Sequence, residues 1–263
     1  MKGELQREDG DRDFLRSLQR GLEVIRALGH PGPGLTLAEV ARAVGASRAS
    51  TRRSLLGLEA LGYVGSDGRR FSLTPKVLSL GYGYRSGLAL PEVARPHLQR
   101  LMEQTGEFSS LSVLDGDETV CVARAAPARI MNVAMQVGTR LPAYATCVGR
   151  VLLAALPPSQ LDDYLDRVEL RALTPATITE AAELRRELAT VRRRRWALVD
   201  QELERGLRSA AAPVHDAAGN VIAAANVGAL AGRITVATLR TELVPPLLAS
   251  AASIERDLAI ARP

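Results

Sequence analysis

The stretch LTLAEVARAVGASRASTRRSLLGLEALGYVGSDGRRFSL, residues 35–73, decides the fold of the first part of the chain. Thr36 is followed three residues later by Glu39, which is the pattern of a capping box and predicts a short helix over residues 37–44. A tight turn is expected at residues 45–46, where glycine permits the change of direction. A second helix signal follows at once, so two helices are joined by a very short turn.

The second helix of this stretch is predicted from Arg48 to about Leu61. Ser47 precedes it as a helix cap, and Gly62 ends it. Apolar spacing of three and four residues predicts one buried stripe on this helix. The stripe consists of Thr51, Leu55, Leu58 and Leu61.

Elements on either side of these two helices complete the motif. An amphipathic helix is predicted upstream over residues 14–28, and a loop rich in glycine and proline follows it. Downstream, two short strands at residues 63–64 and 69–73 flank an Asp-Gly turn, which predicts a β-hairpin. The order helix, helix, turn, helix, hairpin is that of a winged helix-turn-helix.

Charge is concentrated in this same segment. The chain has 263 residues and a net charge of +5, of which residues 1–76 carry +4. Such an imbalance is typical of a basic, nucleic-acid-binding module joined to a nearly neutral one. The run Arg192–Arg195 lies elsewhere, at the end of a predicted helix with an acidic start. This arrangement complements the helix dipole, so we predict a solvated helix end there rather than a second basic site.

Serine and arginine side chains on the second helix and the hairpin are the candidate DNA contacts. Serine hydroxyls and backbone N–H groups hold phosphates, while arginine reaches guanine in the major groove. The alternative is an ordinary helix with solvated arginines, and the complete winged arrangement favours DNA. Aromatic residues for stacking on single strands are absent, which favours duplex DNA. The predicted contacts are Thr36, Ser47, Arg48, Ser50, Thr51, Arg52, Arg53, Arg69 and Arg70.

The remainder of the chain predicts a separate module. We expect an N-terminal tail over residues 1–13, the DNA-binding domain over 14–75, a linker helix over 76–90 and an effector-binding domain over 91–263. In the last of these, antiparallel hairpins are interleaved with helices, which predicts an α+β fold rather than a βαβ nucleotide fold. Its predicted strands lie near residues 108–114, 119–125, 130–136, 197–201, 209–215 and 221–227.

A helix start at Cys147 is the best candidate binding site of the second module. Free N–H groups at a helix N-terminus bind carboxylates, and a mostly apolar pocket with few polar groups is typical of a metabolite sensor. Polar side chains of residues 199–202, Ser209 and Asn226 could supply further contacts opposite this helix start. They could equally be buried groups that form hydrogen bonds with the backbone. Cys147 itself could be a nucleophile, but no histidine is evidently paired with it, so we expect no catalytic residue and no enzyme activity.

Several classes of function are disfavoured by composition. Hydrophobic residues make up 46% of the chain, which argues against wholesale disorder, and no uncharged run is long enough to span a membrane. The mixed-charge N-terminus is not that of a signal peptide, and two cysteines form neither a disulfide framework nor a metal site. No phosphate-binding loop or catalytic triad is evident. We therefore expect a cytoplasmic protein without metal or cofactor.

The chain resembles the IclR family of bacterial transcriptional regulators. Within this family it is most similar to the branch that controls protocatechuate, 4-hydroxybenzoate and β-ketoadipate catabolism. The matching stretches include LTLAEVA at 35–41, GRRFSLTP at 68–75, TRLPAYAT at 139–146, GRVLLA at 149–154 and WALVDQELE at 196–204. The resemblance implies a dimerising linker helix and an effector domain similar to GAF and PAS folds. It also implies effector contacts at Cys147, Val148, Asp200, Ser209, Asn226 and Gly228, with glycine at 228 where serine is common.

The function expected from these features is regulation of transcription by a small acid, either aromatic or a ring-cleavage product. The expected partners are duplex operator DNA, the acid and further copies of the chain, as a dimer or a dimer of dimers. A thiol enzyme that uses Cys147 and a DNA-binding protein that senses no ligand are the two alternatives.

Overall fold

The structure is a computed structural model that describes residues 16–29, 32–80, 90–127 and 135–261. Its contacts divide the chain into two compact units, with the division between residues 87 and 88. Among the described residues, no helix is long and apolar enough to cross a lipid bilayer.

The first unit is a winged helix-turn-helix, as predicted. Helix α1 covers residues 16–28 of the described chain. The remaining elements are β1 at Leu35–Thr36, α2 at Leu37–Ala43, α3 at Arg48–Ala60, β2 at Val64–Ser66 and β3 at Arg70–Leu73. Thr36 and Glu39 form the predicted capping box, and Gly62 ends α3 with a φ of 78°. The sequence missed β1, which pairs with β3 and makes the wing three-stranded.

The core of the first unit is smaller than the leucine pattern suggests. Val24, Val40 and Leu55 are fully buried in it. Leu61 was predicted in the buried stripe of α3, but this prediction was wrong because the residue lies beyond the last helical turn and is 60% exposed. Leu18 and Leu22 of α1 are also more than half exposed. This unit therefore presents an apolar surface that its own core does not cover.

The predicted linker helix lies only partly within the described residues. Residues Pro75–Val77 form a 3-10 turn, and residues 78–80 continue as a helix. The rest of the predicted linker, up to residue 89, falls outside the described residues, as does most of the strand predicted at 130–136.

The second unit is built on one antiparallel sheet of six strands. Its strands are β4 at Phe108–Asp115, β5 at Glu118–Ala125, β6 at Arg140–Pro142, β7 at Ala197–Asp200, β8 at Leu207–His215 and β9 at Val221–Leu230. Their order across the sheet is β6-β5-β4-β9-β8-β7. The predicted α+β fold is confirmed, but β6 was missed because it has only three residues.

Helices cover both faces of this sheet. Helix α4 at Leu90–Thr105 and the last helix, α9 at Val244–Ala261, share one core with the sheet, and the short helix α8 at Val236–Thr238 has no buried residue. Helices α5 at Cys147–Ala155, α6 at Pro158–Arg167 and α7 at Ala181–Arg194 share a second core on the opposite face. The start of α5 therefore faces the polar side chains of the central strands.

Candidate DNA-binding surface and effector cavity

Exposed arginines line helix α3, the second helix of the helix-turn-helix. Arg48, Arg52 and Arg53 are exposed, and no hydrogen bond or ion pair holds their side chains within the described part of the chain. Arg48 and Arg52 are one helical turn apart and share a face. Arg53 lies instead beside α1, along a groove that Leu18 also lines. The structure thus places two of the three arginines together and the third to one side.

The hydroxyl side chains predicted to contact DNA mostly have partners within the domain. Ser47 caps α3 by accepting from the Ser50 N–H, and the Ser50 hydroxyl accepts a hydrogen bond from Arg20 at 2.6 Å. The Thr36 hydroxyl is engaged in the capping box. Thr51 is fully buried, so its prediction as a DNA contact is corrected: it lies on the core face of α3.

The two wing arginines differ in their environment. Arg69 is exposed, and only its backbone N–H is engaged, by a hydrogen bond to Asp67. The Arg70 guanidinium donates to the carbonyl of Gly34 at 2.8 Å and lies 3.7 Å from the Glu39 carboxylate. Arg70 therefore holds the wing against the start of α2. The side chain of Arg69, at the tip of the wing, has no partner among the described residues.

A small cavity of about 20 Å³ lies between the N-terminus of α5 and the sheet. Its wall is mostly apolar, with a few hydroxyl, thiol and amide groups and no charged side chain among the described lining residues. The lining residues are Phe108, Ser112, Thr119, Cys121, Met135, Thr139, Leu141, Ala145, Thr146, Cys147, Val148, Val199, Leu203, Leu207, Ser209 and Asn226.

Four of the six predicted effector contacts line this cavity together, namely Cys147, Val148, Ser209 and Asn226. Asp200 does not line it, because its carboxylate receives two hydrogen bonds from Arg208, at 2.8 and 3.0 Å. Gly228 is separated from the cavity by a neighbouring ring. A Cβ at position 228 would lie 2.2 Å from Cζ of Phe108, so the ring occupies the space of a side chain there.

The start of α5 presents backbone donors to the cavity. Thr146 caps the helix, and its hydroxyl accepts the Gly149 N–H at 3.0 Å. Cys147 and Val148, the first two residues of the helix, line the cavity, and N–H groups at this position have no partner within the helix. A helix N-terminus of this kind attracts an anion or an acceptor oxygen.

Cys147 is chemically unsuited to be a nucleophile. Burial raises the pKa of its thiol to about 11, although a hydrogen bond with Ser209 acts in the opposite direction. The described histidines have other partners: His97 contacts Asp257 at 2.7 Å, and His215 contacts Glu255 at 2.5 Å. The thiol therefore remains protonated near neutral pH, without a general base beside it.

A buried ion pair holds α5 in place behind the cavity. Arg150, only 2% exposed, donates two hydrogen bonds to the Glu202 carboxylate, at 2.7 and 2.5 Å. The same carboxylate accepts from the backbone of Ile178, and Arg150 also donates to the carbonyl of Tyr144. A bidentate pair of this kind has a defined geometry, so it orients the helix that forms the cavity roof.

The run Arg192–Arg195 at the end of α7 is largely exposed, since only Arg194 is partly buried. Arg192 donates to the carbonyls of Ala154 and Leu156, at 2.6 and 3.0 Å, and so joins α7 to the end of α5. Arg194 pairs with Glu187 and stacks on Trp196. Two of the four arginines therefore also hold neighbouring parts of the domain together.

Several of the cavity residues that sequence reasoning missed lie on β4, β5 and the segment after it. Phe108, Ser112, Cys121 and Met135 line the cavity, and three of them join Leu207 in a small apolar cluster. The sequence does show which side chains of β4 share a face, because successive residues of a strand point to opposite faces of the sheet. Which face of β4 points to α5, however, depends on the sheet order.

Comparison with known proteins agrees with both units. The model of the IclR helix-turn-helix domain matches residues 17–68, and that of the bacterial transcriptional regulator IclR C-terminal domain matches residues 83–256. The chain belongs to the IclR family of bacterial transcriptional regulators. Like other members of the IclR family, it is therefore a DNA-binding regulator of transcription.

Individual relatives span both units. The Pca regulon regulatory protein of Pseudomonas putida is 44% identical over 95% of this chain and 84% of its own length. The crystal structure of a transcriptional regulator from Rhodococcus sp. RHA1 is 49% identical, with a TM-score of 0.84 over 94% of this chain and 99% of that one.

A third relative carries a bound acid. A double mutant of the PobR inducer-binding domain from Acinetobacter, in complex with 3-hydroxybenzoic acid, is 35% identical, with a TM-score of 0.60. It covers 63% of this chain and 97% of its own.

Proposed function

We propose that this IclR-family regulator controls genes for the breakdown of aromatic acids and responds to a small carboxylic acid. The acid is either aromatic or a product of ring cleavage. The observation that carries the proposal is the mostly apolar cavity at the start of α5. Similarity to a Pca regulon regulatory protein and to an inducer-binding domain that holds 3-hydroxybenzoic acid supports the same conclusion.

In this proposal the acid lies between the start of α5 and the central strands. The N–H groups of Cys147 and Val148 bind its carboxylate, and Ser209 and Asn226 offer polar contacts beside it. Asp200 and Gly228 act indirectly: Asp200 holds Arg208, and Gly228 makes room for the Phe108 ring. Ligand control requires that the acid binds two conformations of the protein with different affinity.

Operator DNA is contacted by the first unit, within the proposed domain of residues 14–75. Arg48 and Arg52 reach base edges from α3, Arg53 and the helix cap at Ser47 hold the backbone, and Arg69 contacts the adjacent strand from the wing. The support for this assignment is that all four arginines are exposed and lack a partner within the described chain.

We further propose that the protein is a dimer or a dimer of dimers. Leu18, Leu22, Leu61 and Leu80 are each more than half exposed on the first unit. Exposed apolar surface of this kind is typical of an interaction site. In the proposed arrangement the linker helix of residues 76–90 adds to the contact between copies.

A thermal-shift screen tests the effector assignment directly. The full-length protein is heated with protocatechuate, 4-hydroxybenzoate, β-ketoadipate and simple keto acids. An effector at 100 times its dissociation constant should add about 2.7 kcal/mol to the free energy of unfolding. If none of the acids shifts the transition, the protein does not sense this class of ligand and the proposal fails.

The Cys147→Ala variant separates regulation from thiol chemistry. We expect the variant to keep its operator binding and its response to the acid, because the backbone donors at the start of α5 remain. Loss of both responses would instead favour a role of the thiol.

A further inference from the structure

One buried serine contacts residues of the effector cavity without lining it. Ser110 of β4 is fully buried, and it is not among the described lining residues. Its hydroxyl donates a hydrogen bond to the side-chain carbonyl oxygen of Asn226. The Ser110 hydroxyl oxygen also lies 3.5 Å from the sulfur of Met135. Because Asn226 and Met135 both line the cavity, Ser110 lies directly behind its wall.

Cys121 of β5 is a third lining residue that meets this hydroxyl. Burial raises the pKa of the Cys121 thiol to about 11, and a hydrogen bond with Ser110 acts in the opposite direction. Ser110 therefore joins side chains from β5, from β9 and from the segment before β6. A buried polar group with several partners holds those partners in a defined arrangement.

The register of the sheet places Ser110 beside Asn226. The two are paired residues of the neighbouring strands β4 and β9. Phe108 and Ser112, two positions away on either side of Ser110, line the cavity, because alternate residues of a strand share a face. The intervening Ser109 donates instead to a backbone carbonyl of α4, on the opposite face of the sheet.

The bond from Ser110 decides which end of the Asn226 amide faces the cavity. A side-chain amide has a carbonyl oxygen that accepts hydrogen bonds and an NH2 group that donates them, and half a turn exchanges the two. The oxygen of Asn226 is bound by Ser110, whereas its amide nitrogen has no hydrogen-bond partner among the described residues. The N–H groups are therefore the end of the amide that a ligand in the cavity meets.

We propose that Ser110 is a positioning residue for effector recognition: it holds the Asn226 amide with its N–H groups towards the cavity, so that this part of the wall binds an acceptor oxygen of the effector. This inference rests on the proposed function, because it assumes that a small acid occupies the cavity. Ser110 does not touch the acid in this arrangement. It acts only through Asn226.

A double-mutant cycle, measured by titration calorimetry on the full-length protein, tests this role. The variants are Ser110→Ala, Asn226→Ala and the two combined. The control is Ser109→Ala, which removes a buried hydroxyl from the same strand on the opposite face. The probe is whichever of protocatechuate, 4-hydroxybenzoate, β-ketoadipate and pyruvate the unaltered protein binds most tightly. Unfolding of each variant without ligand is measured in parallel.

We expect Ser110→Ala to weaken binding of that acid by about 3- to 10-fold, because the amide loses the contact that orients it. In the Asn226→Ala background the same change should alter the affinity by less than about twofold, since two residues that act as a unit are not additive. Ser109→Ala should leave the affinity unchanged, even where it lowers the stability of the fold.

The Asn226 amide gives a second readout, by NMR spectroscopy. The chain has three asparagines, at positions 132, 220 and 226, so isotope labelling of the asparagine side chains gives three NH2 groups, and Asn226→Ala identifies the relevant one. In the unaltered protein the acid should shift the signals of the Asn226 amide protons, because these protons donate to it. The shift should be smaller in Ser110→Ala and unchanged in Ser109→Ala.

The role of Ser110 would be overturned by an equal loss of affinity in both backgrounds or by no loss at all. It would also be overturned if Ser109→Ala weakened binding to the same extent, or if the acid did not shift the Asn226 amide signals of the unaltered protein. If the unaltered protein binds none of the acids, the proposed function itself fails. The two failures are thus distinguishable.

Discussion

At the scale of single residues, Gly228 and Phe108 compete for one space. They are register partners on β9 and β4, and the ring lies where a Cβ at position 228 would be. We expect Gly228→Ser to destabilise the protein by about 1–3 kcal/mol through overpacking, measured by urea unfolding.

Removal of the Phe108 ring should reduce the destabilisation caused by Gly228→Ser. In Phe108→Ala/Gly228→Ser, the loss should be smaller than the sum of the two single losses. Gly232→Ser is the matched control, because no atom lies within 4 Å of its added Cβ. Additive losses would show that the ring and residue 228 do not share this space.

Arg52 and Arg53 carry the prediction for DNA binding. Arg52→Ala should weaken operator binding by about 1–3 kcal/mol, because its proposed contact is to a base, whereas Arg53→Ala should weaken binding to all DNA sequences alike, because its proposed contact is to the backbone. Fluorescence anisotropy with labelled operator measures the change, and Arg186→Ala controls for net charge. Unaltered affinity in both variants would refute the assignment of α3 as the recognition helix.

At the scale of elements, the buried carboxylate of Glu107 lies immediately before strand β4. Glu107 is 1% exposed, and burial raises its pKa, although Arg233 at 3.4 Å lowers it again in part. An acid with a raised pKa in the folded state costs stability once the pH exceeds its unfolded value, which is 4.5.

Glu107→Gln should therefore melt at a higher temperature than the unaltered protein at pH 7. The difference should shrink as the pH falls towards 4.5, because the native glutamate then becomes neutral as well. Melting curves between pH 4 and 8 check this, with the exposed Glu103→Gln as control. A gain that does not vary with pH would indicate a packing effect instead.

At the scale of the whole molecule, a symmetric dimer predicts the layout of the operator. Two recognition helices enter successive major grooves, so the half-sites should lie about 34–36 Å apart or a multiple of that. Insertion of about 5 bp between them should weaken binding far more than insertion of about 10 bp, which restores the helical phase. Equal binding to both altered operators would exclude a rigid two-site arrangement.

Local patterns in the sequence determined the winged helix-turn-helix, the helices of the second unit and most of its strands. Caps such as Thr36 and Ser47, turn glycines and apolar periodicity act over a few residues, so they can be recognised without a structure. The helix start at Cys147 was identified in the same way. The concentration of charge in the first unit was a further sequence signal, and four of its exposed arginines are the proposed DNA contacts: Arg48, Arg52, Arg53 and Arg69.

Only the tertiary structure decided which residues meet. The partner of Asp200 is Arg208, and the side chain over Gly228 is the Phe108 ring. The sequence also did not show that Leu61 is exposed or that Arg70 holds the wing against the start of α2. The physical reason is that strand order and register join residues more than a hundred positions apart, and a one-residue change in register turns every side chain to the other face.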